Sequence, residues 1–362
     1  MRAESALTRQ KIIRLLSQTD FDEQQSLFKR AYVLKVEQLG KKVNLRGLIE
    51  FSNQCGKNCL YCGIRAGNSK VVRYSMTDEE VLEVVEFAKS KGLTGVVLQS
   101  GERSDVDFVN RITMLISKIK KVTEKTFRIT LSVGEQSYET YQRWFEAGAQ
   151  RYLLRIETSD EMLYKRIHPN DGLHSFEKRL SCLDAIQKAG FQTGTGVMIG
   201  LPGQTVENLA DDLLFIQRNG IDMVGMGPFL EHAQTPMYEF KEERMPLIER
   251  FELSLRMIAV LRLLMPTINI ASTTALQSII PTGREFGLKA GANVLMPNLT
   301  PIQYRKNYLL YQNKPSLDLE ADETLDKLLT RIHQIGEHVV YDDYGDSRHF
   351  INRQTINNTL EL

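Results

Sequence analysis

Eight short apolar or β-branched runs separated by helix-forming connections predict an α/β chain wound as a complete or nearly complete (β/α)8 barrel, flanked by N-terminal helices and a partly helical C-terminal tail. No low-complexity tract, long Gly/Ser linker or internal sequence repeat divides the 362 residues, which favours one barrel over two domains. An open doubly wound sheet is the competing architecture, and strand order decides between them.

The elements follow in order. Leu7 to Leu16 reads as a short amphipathic helix, and Asp20 or Asp22 caps a second helix ending near Gly40, making residues 1–42 a helical layer. The barrel spans residues 43–315. Its first four strand runs are Val43 to Phe51, Gly95 to Gln99, Phe127 to Val133 and Tyr152 to Ile156. The second four are Thr193 to Ile199, Met223 to Gly227, Asn269 to Thr273 and Asn293 to Met296. Connections such as Asp78 to Gly92, Tyr138 to Gly148 and Phe176 to Gly190 are long enough to cross a parallel sheet as helices. Residues 316–362 form an extension packed on the barrel: Leu317 to Val340 is amphipathic, and Tyr341 to Arg348 is a polar loop covering the barrel's lower side or a helix face.

Composition narrows the function. With 42% hydrophobic and 25% charged residues, the chain forms a substantial core rather than a disordered segment. A formal charge of +1 supplies no broad field for nucleic acid. No apolar run approaches the roughly 18 residues of a membrane span, and Met1 to Ser5 does not lead into a signal-peptide core. Of four cysteines, three crowd into residues 55 to 62, which argues against a disulfide scaffold and for a reducing, cytoplasmic or other intracellular compartment.

Those three lie in Cys55-Gly56-Lys57-Asn58-Cys59-Leu60-Tyr61-Cys62, directly after the first strand run, where barrel active sites are built. Soft thiolates hold iron-sulfur clusters or zinc. A structural zinc site ordinarily takes a fourth protein ligand, yet no cysteine or histidine follows Cys62 before His168. A four-iron cluster held by three cysteines instead leaves one iron free to bind a small molecule.

The Cys55-x-x-x-Cys59-x-x-Cys62 spacing resembles the cluster motif of the radical SAM superfamily. The resemblance extends to the HydE family of [FeFe]-hydrogenase maturases through Ile49 to Asn53, Val97 to Glu102, Leu131 to Glu135, Arg151 to Thr158, Gly196 to Thr205, Met223 to Phe229, Pro281 to Glu285 and Gly291 to Asn298. It implies a TIM-type barrel, one [4Fe-4S] cluster on Cys55, Cys59 and Cys62, and S-adenosylmethionine on the fourth iron. It carries Tyr61, Gly101, Glu102, Glu157, Arg179, Gly196, Met223 and Val224 over as cofactor contacts. Arg155, Thr273, Thr274, Arg284 and Arg305 become substrate-binding candidates, and no residue is assigned a proton transfer. The implied partners are an organometallic hydrogenase precursor, other hydrogenase maturation proteins and an electron donor, with no nucleic acid and no membrane.

Each assignment has a plainer competitor. Gly101-Glu102 also suits a simple strand-capping turn, Arg155 and Glu157 a salt bridge, Met223-Val224 a packed core strand, and Arg305 a structural ion pair. His168, before Pro169, shapes a loop, and Cys182 reads as a buried structural thiol. No cysteine follows Cys182, so a second cluster is not carried over. Competing functions are a methylornithine synthase-like carbon-skeleton rearrangement and a non-enzymatic iron-sulfur carrier.

Overall fold

A computed structural model describes residues 7–240, 243–315, 317–341 and 343–360, so the reading of Met1 to Ser5 lies outside the described residues. The chain opens with helices Arg9–Leu16 and Phe21–Leu39. Thr8 caps the first by accepting from Lys11 N, Asp20 caps the second by accepting from Glu23 N, and Gly40 ends it at φ 76°. The second helix packs on the long helix Leu247–Leu264. A buried ion pair between Lys35 and Glu337 ties it to the C-terminal extension.

Eleven strands follow: β1 Lys42–Leu45, β2 Gly47–Ser52, β3 Gly95–Ser100, β4 Arg128–Ser132, β5 Arg151–Leu153, β6 Gln192–Thr195, β7 Met198–Ile199, β8 Met223–Pro228, β9 Asn269–Ser272, β10 Val294–Leu295 and β11 His338–Val339. Their order is β11-β1-β10-β9-β8-β6-β5-β4-β3-β2, with β7 beside β8 and every pairing parallel. From β2 to β10, apart from β7, successive strands are neighbours in one curled sheet, with β1 and then β11 added beyond β10, which excludes the doubly wound alternative.

The expected complete (β/α)8 barrel is corrected to a less regular, TIM-like curled sheet. Three runs read as single strands are broken or shortened. The first is interrupted at Arg46, where pairing passes from β10 to β3. The fourth stops at Leu153, and the fifth is divided by Gly196-Val197. The seam between the last and first strands is not a full ladder, because β10 is two residues long. It consists of the pairs Asn44↔Val294 and Leu45↔Leu295 plus an isolated bridge Leu48↔Asn298.

Strand alternation sorts the side chains. Val96, Leu98, Ile129 and Leu131 join the outer core with helix residues such as Val81, Val85, Ile112 and Leu115. Val97, Thr130 and Leu153 instead line a cavity of about 30 Å³ in the barrel interior, with Arg46, Met223 and Val224.

The polar loop after β11 covers the lower side. Asp346 Oδ1 accepts from Arg151 and Gln192, each at 2.6 Å, and Oδ2 from Arg128 at 3.1 Å. Gly345 O accepts from Arg46 at 3.1 Å and from Asn269 at 2.9 Å. The buried arginines of the strands' N-terminal ends therefore find their acceptors in the tail. Burial alone would raise the Asp346 carboxyl, but Arg151, Gln192 and Arg128 outweigh it and hold it below the usual range.

Removing this carboxylate by Asp346→Ala should cost about 2–3 kcal/mol, read by denaturant unfolding, because Arg151 loses its buried counter-charge. A depressed native pKa contributes stability above the unfolded value of about 4 that disappears as pH falls through the native one. Acid-unfolding curves of Asp346→Asn should accordingly be flatter than wild type across that window.

Candidate active site

The cysteine loop leaves the end of β2 and is staked at both flanks. Asn53 Nδ2 donates to Val72 O at 2.8 Å and Asn307 O at 2.7 Å, while its Oδ1 accepts from Tyr74 N at 2.8 Å. Arg73 donates to the carbonyls of Asn53, Ile64 and Arg65, each at 2.7 Å. Between these anchors Cys55, Cys59 and Cys62 are free and half-buried.

Burial pushes all three thiols up, Cys59 to about 12, so any metal held here would have to displace their protons. Among the described residues no three His, Cys, Asp or Glu side chains gather closely enough for a single metal ion. Three soft donors spread along one loop fit a larger cluster better than a mononuclear site. The neighbouring turn is shaped to the same loop: a Cβ on Gly101 would stand 2.3 Å from Gln54 O and 2.7 Å from Cys55 Cβ. Glu102 closes the contact, its N donating to Cys55 Sγ at 3.3 Å and its O accepting from Gly56 N at 2.8 Å.

Beside the loop lie two carboxylates and two cations. Lys57 Nζ is 3.2 Å from Glu102 Oε1 and 2.8 Å from Glu135 Oε2. Arg179, on helix Phe176–Lys188, donates Nε to Glu135 Oε1 at 2.6 Å and NH1 to Arg155 O at 2.6 Å, and its NH2 is 3.9 Å from Glu102 Oε2. Burial leaves Glu102 raised, whereas Glu135, with its tighter contacts to Arg179 and Lys57, falls below the usual range despite burial. Sequence analysis singled out Glu102 and Arg179 but gave no role to Lys57 or Glu135. Lys57 lies inside the cysteine motif, and Glu135 ends a segment of family resemblance two residues past the third strand run.

Arg155 and Glu157 do share a face, and they pair: Arg155 Nε lies 2.9 Å from Glu157 Oε1 and 3.0 Å from Oε2. Arg155 also donates to Val197 O at 3.0 Å and to Gly225 O. Glu157 adopts φ 67°, an uncommon left-handed conformation for a non-glycine residue, held by Glu157 N to Gly196 O and Met198 N to Glu157 O, each at 2.9 Å. Gly196 permits this crossing, since a Cβ there would fall 1.9 Å from Gly225 O.

The remaining candidates separate. Thr273 and Thr274 stand half-buried at the start of helix Thr274–Ile279, with Thr273 Oγ1 donating to Met226 O at 3.4 Å. Arg284 is buried, its guanidinium is lowered by desolvation to about 10, and its Nε has no hydrogen-bond partner among the described residues. Tyr311, which sequence analysis missed, feels the charges of both Arg284 and Arg155. Met223 and Val224 line the lower cavity, where Met223 Sδ accepts from Arg46 at 3.0 Å.

Arg305 lies among backbone carbonyls. It is fully buried and donates to Thr300 O at 2.6 Å, Asn298 O at 3.1 Å and Leu319 O. Such a clamp on three carbonyls holds the chain after β10 together. His168 is a packing residue, its Nδ1 2.9 Å from Tyr164 O and its ring pushed down to about 3 by burial. Cys182 is buried against Gln136 O at 3.5 Å, as a structural thiol should be.

Residues 49–216 match the family model of the Radical SAM superfamily. The chain is 44% identical over 307 residues to the [FeFe] hydrogenase maturase subunit HydE of Thermotoga maritima, covering 85% of this chain and 84% of that protein. It is 28% identical to the 3-methylornithine synthase of Methanosarcina acetivorans, covering 89% of this chain and 87% of that one. A crystal structure of methylornithine synthase superposes with a TM-score of 0.79 at 26% identity, covering 92% of this chain and 94% of that one.

Arg305→Ala should lower unfolding stability by about 3 kcal/mol through its stranded carbonyls. Affinity for the cofactor of the cysteine loop, measured by anaerobic equilibrium binding, should remain at the wild-type value.

Proposed function

Because the chain belongs to the HydE family of [FeFe]-hydrogenase maturases within the radical SAM superfamily, we propose that Cys55, Cys59 and Cys62 hold a single [4Fe-4S] cluster whose fourth iron binds S-adenosylmethionine, for processing an organometallic precursor during di-iron active-site assembly. The carrying observation is the set of three free thiols on one staked loop at the barrel mouth, beside buried charges of both signs. When bound and reduced by one electron, this cofactor pair supplies homolytic sulfur–carbon cleavage, giving methionine and a 5′-deoxyadenosyl radical.

The chain's own residues supply position. Gly101 lets the turn approach the loop, Glu102 accepts from the cofactor ammonium, and Arg179 donates a charge-assisted pair to its carboxylate. Glu157, fixed by Arg155, faces the cofactor together with Tyr61 and Gly196, and Met223 and Val224 border the space below. Thr273, Thr274 and Arg284 orient the substrate, and Arg155 completes that polar face. An electron donor and other maturation proteins complete the assignment, in a reducing intracellular compartment. Among the described residues no helix is long and apolar enough to cross a membrane.

Anaerobically reconstituted protein should contain four irons and four sulfides and release 5′-deoxyadenosine when reduced with S-adenosylmethionine. Cys55→Ser, Cys59→Ser and Cys62→Ser should each lose iron and product, whereas Cys182→Ser should retain both. An intact zinc site without cleavage would overturn the assignment.

The structural likeness to methylornithine synthase over nearly both whole chains supports a second reading. Hydrogenase activation with and without this protein decides between them. Restored activation supports the maturase, and methylornithine formation from lysine without activation supports the rearrangement enzyme.

A further inference from the structure

Helix Glu161–Ile167 packs against helix Phe176–Lys188, which carries Arg179. Tyr164 stands at that contact. Its ring stacks on His168 with centroids 4.0 Å apart and tilts against Phe176 at 5.3 Å. His168 meets Tyr61 edge-on at 5.5 Å, and Leu60 N donates to Ile167 O at 3.0 Å. The stacked pair is thus wedged between the cysteine loop and the helix of Arg179.

Tyr164 is 0% exposed, yet its hydroxyl has no hydrogen-bond partner among the described residues. A buried phenol ordinarily finds one, so an orphan hydroxyl points to a missing group. Arg179, Glu135 and Glu102 are among the charged groups that act on it. Arg179 offers only donors, and Glu102 and Glu135 already face Lys57 and Arg179. With those carboxylates engaged, an anion settling on the guanidinium would offer the buried hydroxyl an acceptor.

We propose that Tyr164 Oη is a further cofactor-binding group, donating a hydrogen bond to the carboxylate of the sulfonium amino acid held by Arg179. This rests on the reading that Arg179 takes that carboxylate. His168 holds the ring in place through stacking and through its Nδ1 contact with Tyr164 O at 2.9 Å. A trapped water between the Tyr164 hydroxyl and His168 Nε2, which is also unpartnered, is the competing explanation.

Dissociation constants of anaerobically reconstituted protein for S-adenosylmethionine and decarboxylated S-adenosylmethionine test the inference. Tyr164→Phe should weaken the first about tenfold and the second by less than about twofold, because only the first offers the charged acceptor. Iron content should remain at the wild-type level. Tyr164→Leu, a second variant without the hydroxyl, should reproduce the discrimination should the Phe variant fold poorly.

Unchanged affinity for S-adenosylmethionine, as a trapped water predicts, or equal weakening of both ligands would overturn the role of Tyr164. Arg179→Lys separates the two layers. If it preserves the wild-type ratio of the two affinities, the reading of Arg179 fails. If it collapses that ratio while Tyr164→Phe preserves it, only the inference about Tyr164 fails.

Discussion

Taking a carboxylate out of water costs several kcal/mol unless a cation comes with it, and the mouth of this barrel buries two, Glu102 and Glu135. Lys57 and Arg179 balance them, and each cation comes from a different element: the cysteine loop and helix Phe176–Lys188. The four charges therefore work as a clasp. They draw the loop that follows β2 against the turns that follow β3 and β4, and so set where the three thiols stand. The balance is uneven, with Glu135 gripped closely by both cations and Glu102 more loosely held. The looser carboxylate is the one whose backbone also touches Cys55.

The opposite end of the barrel solves a similar problem without leaving anything exchangeable. Arg46, Arg128 and Arg151 point toward the lower side, and the tail closes over them with Asp346, Gly345 O and Tyr344 O. This division agrees with the general behaviour of α/β barrels, in which chemistry gathers at the C-terminal ends of the strands and the other face serves stability. The strained φ of Glu157 belongs to the upper end, beside the close crossing at Gly196. Backbone strain of about 1–3 kcal/mol persists only where the surroundings over-determine it, and here two backbone hydrogen bonds and Arg155 do so.

The contrast between Glu102 and Arg305 shows why some site residues were legible and others were not. Glu102 was singled out by the family resemblance of the Gly101-Glu102 turn, since local order alone fits a simple strand cap as well, and the structure sets that turn against the cysteine loop. Arg305 sits in an equally suggestive Pro301 to Arg305 stretch, yet its guanidinium is consumed by the carbonyls of Thr300, Asn298 and Leu319. Nothing in its immediate neighbours announces that. Glu135 failed in the other direction: its partners Lys57 and Arg179 are 78 and 44 residues away in the chain.

The chain alone determined whatever depends on near neighbours: the order of strands and helices, a cap for the second helix at Asp20 or Asp22, and three cysteines close enough in sequence to share one loop. Folding in space decided how the strands pair at the irregular seam, where the tail lies, and which carboxylates and carbonyls take up each buried arginine. The physical reason is range. Side-chain periodicity and turn chemistry act over a few residues, whereas the fate of a buried charge depends on acceptors that only tertiary packing brings to it.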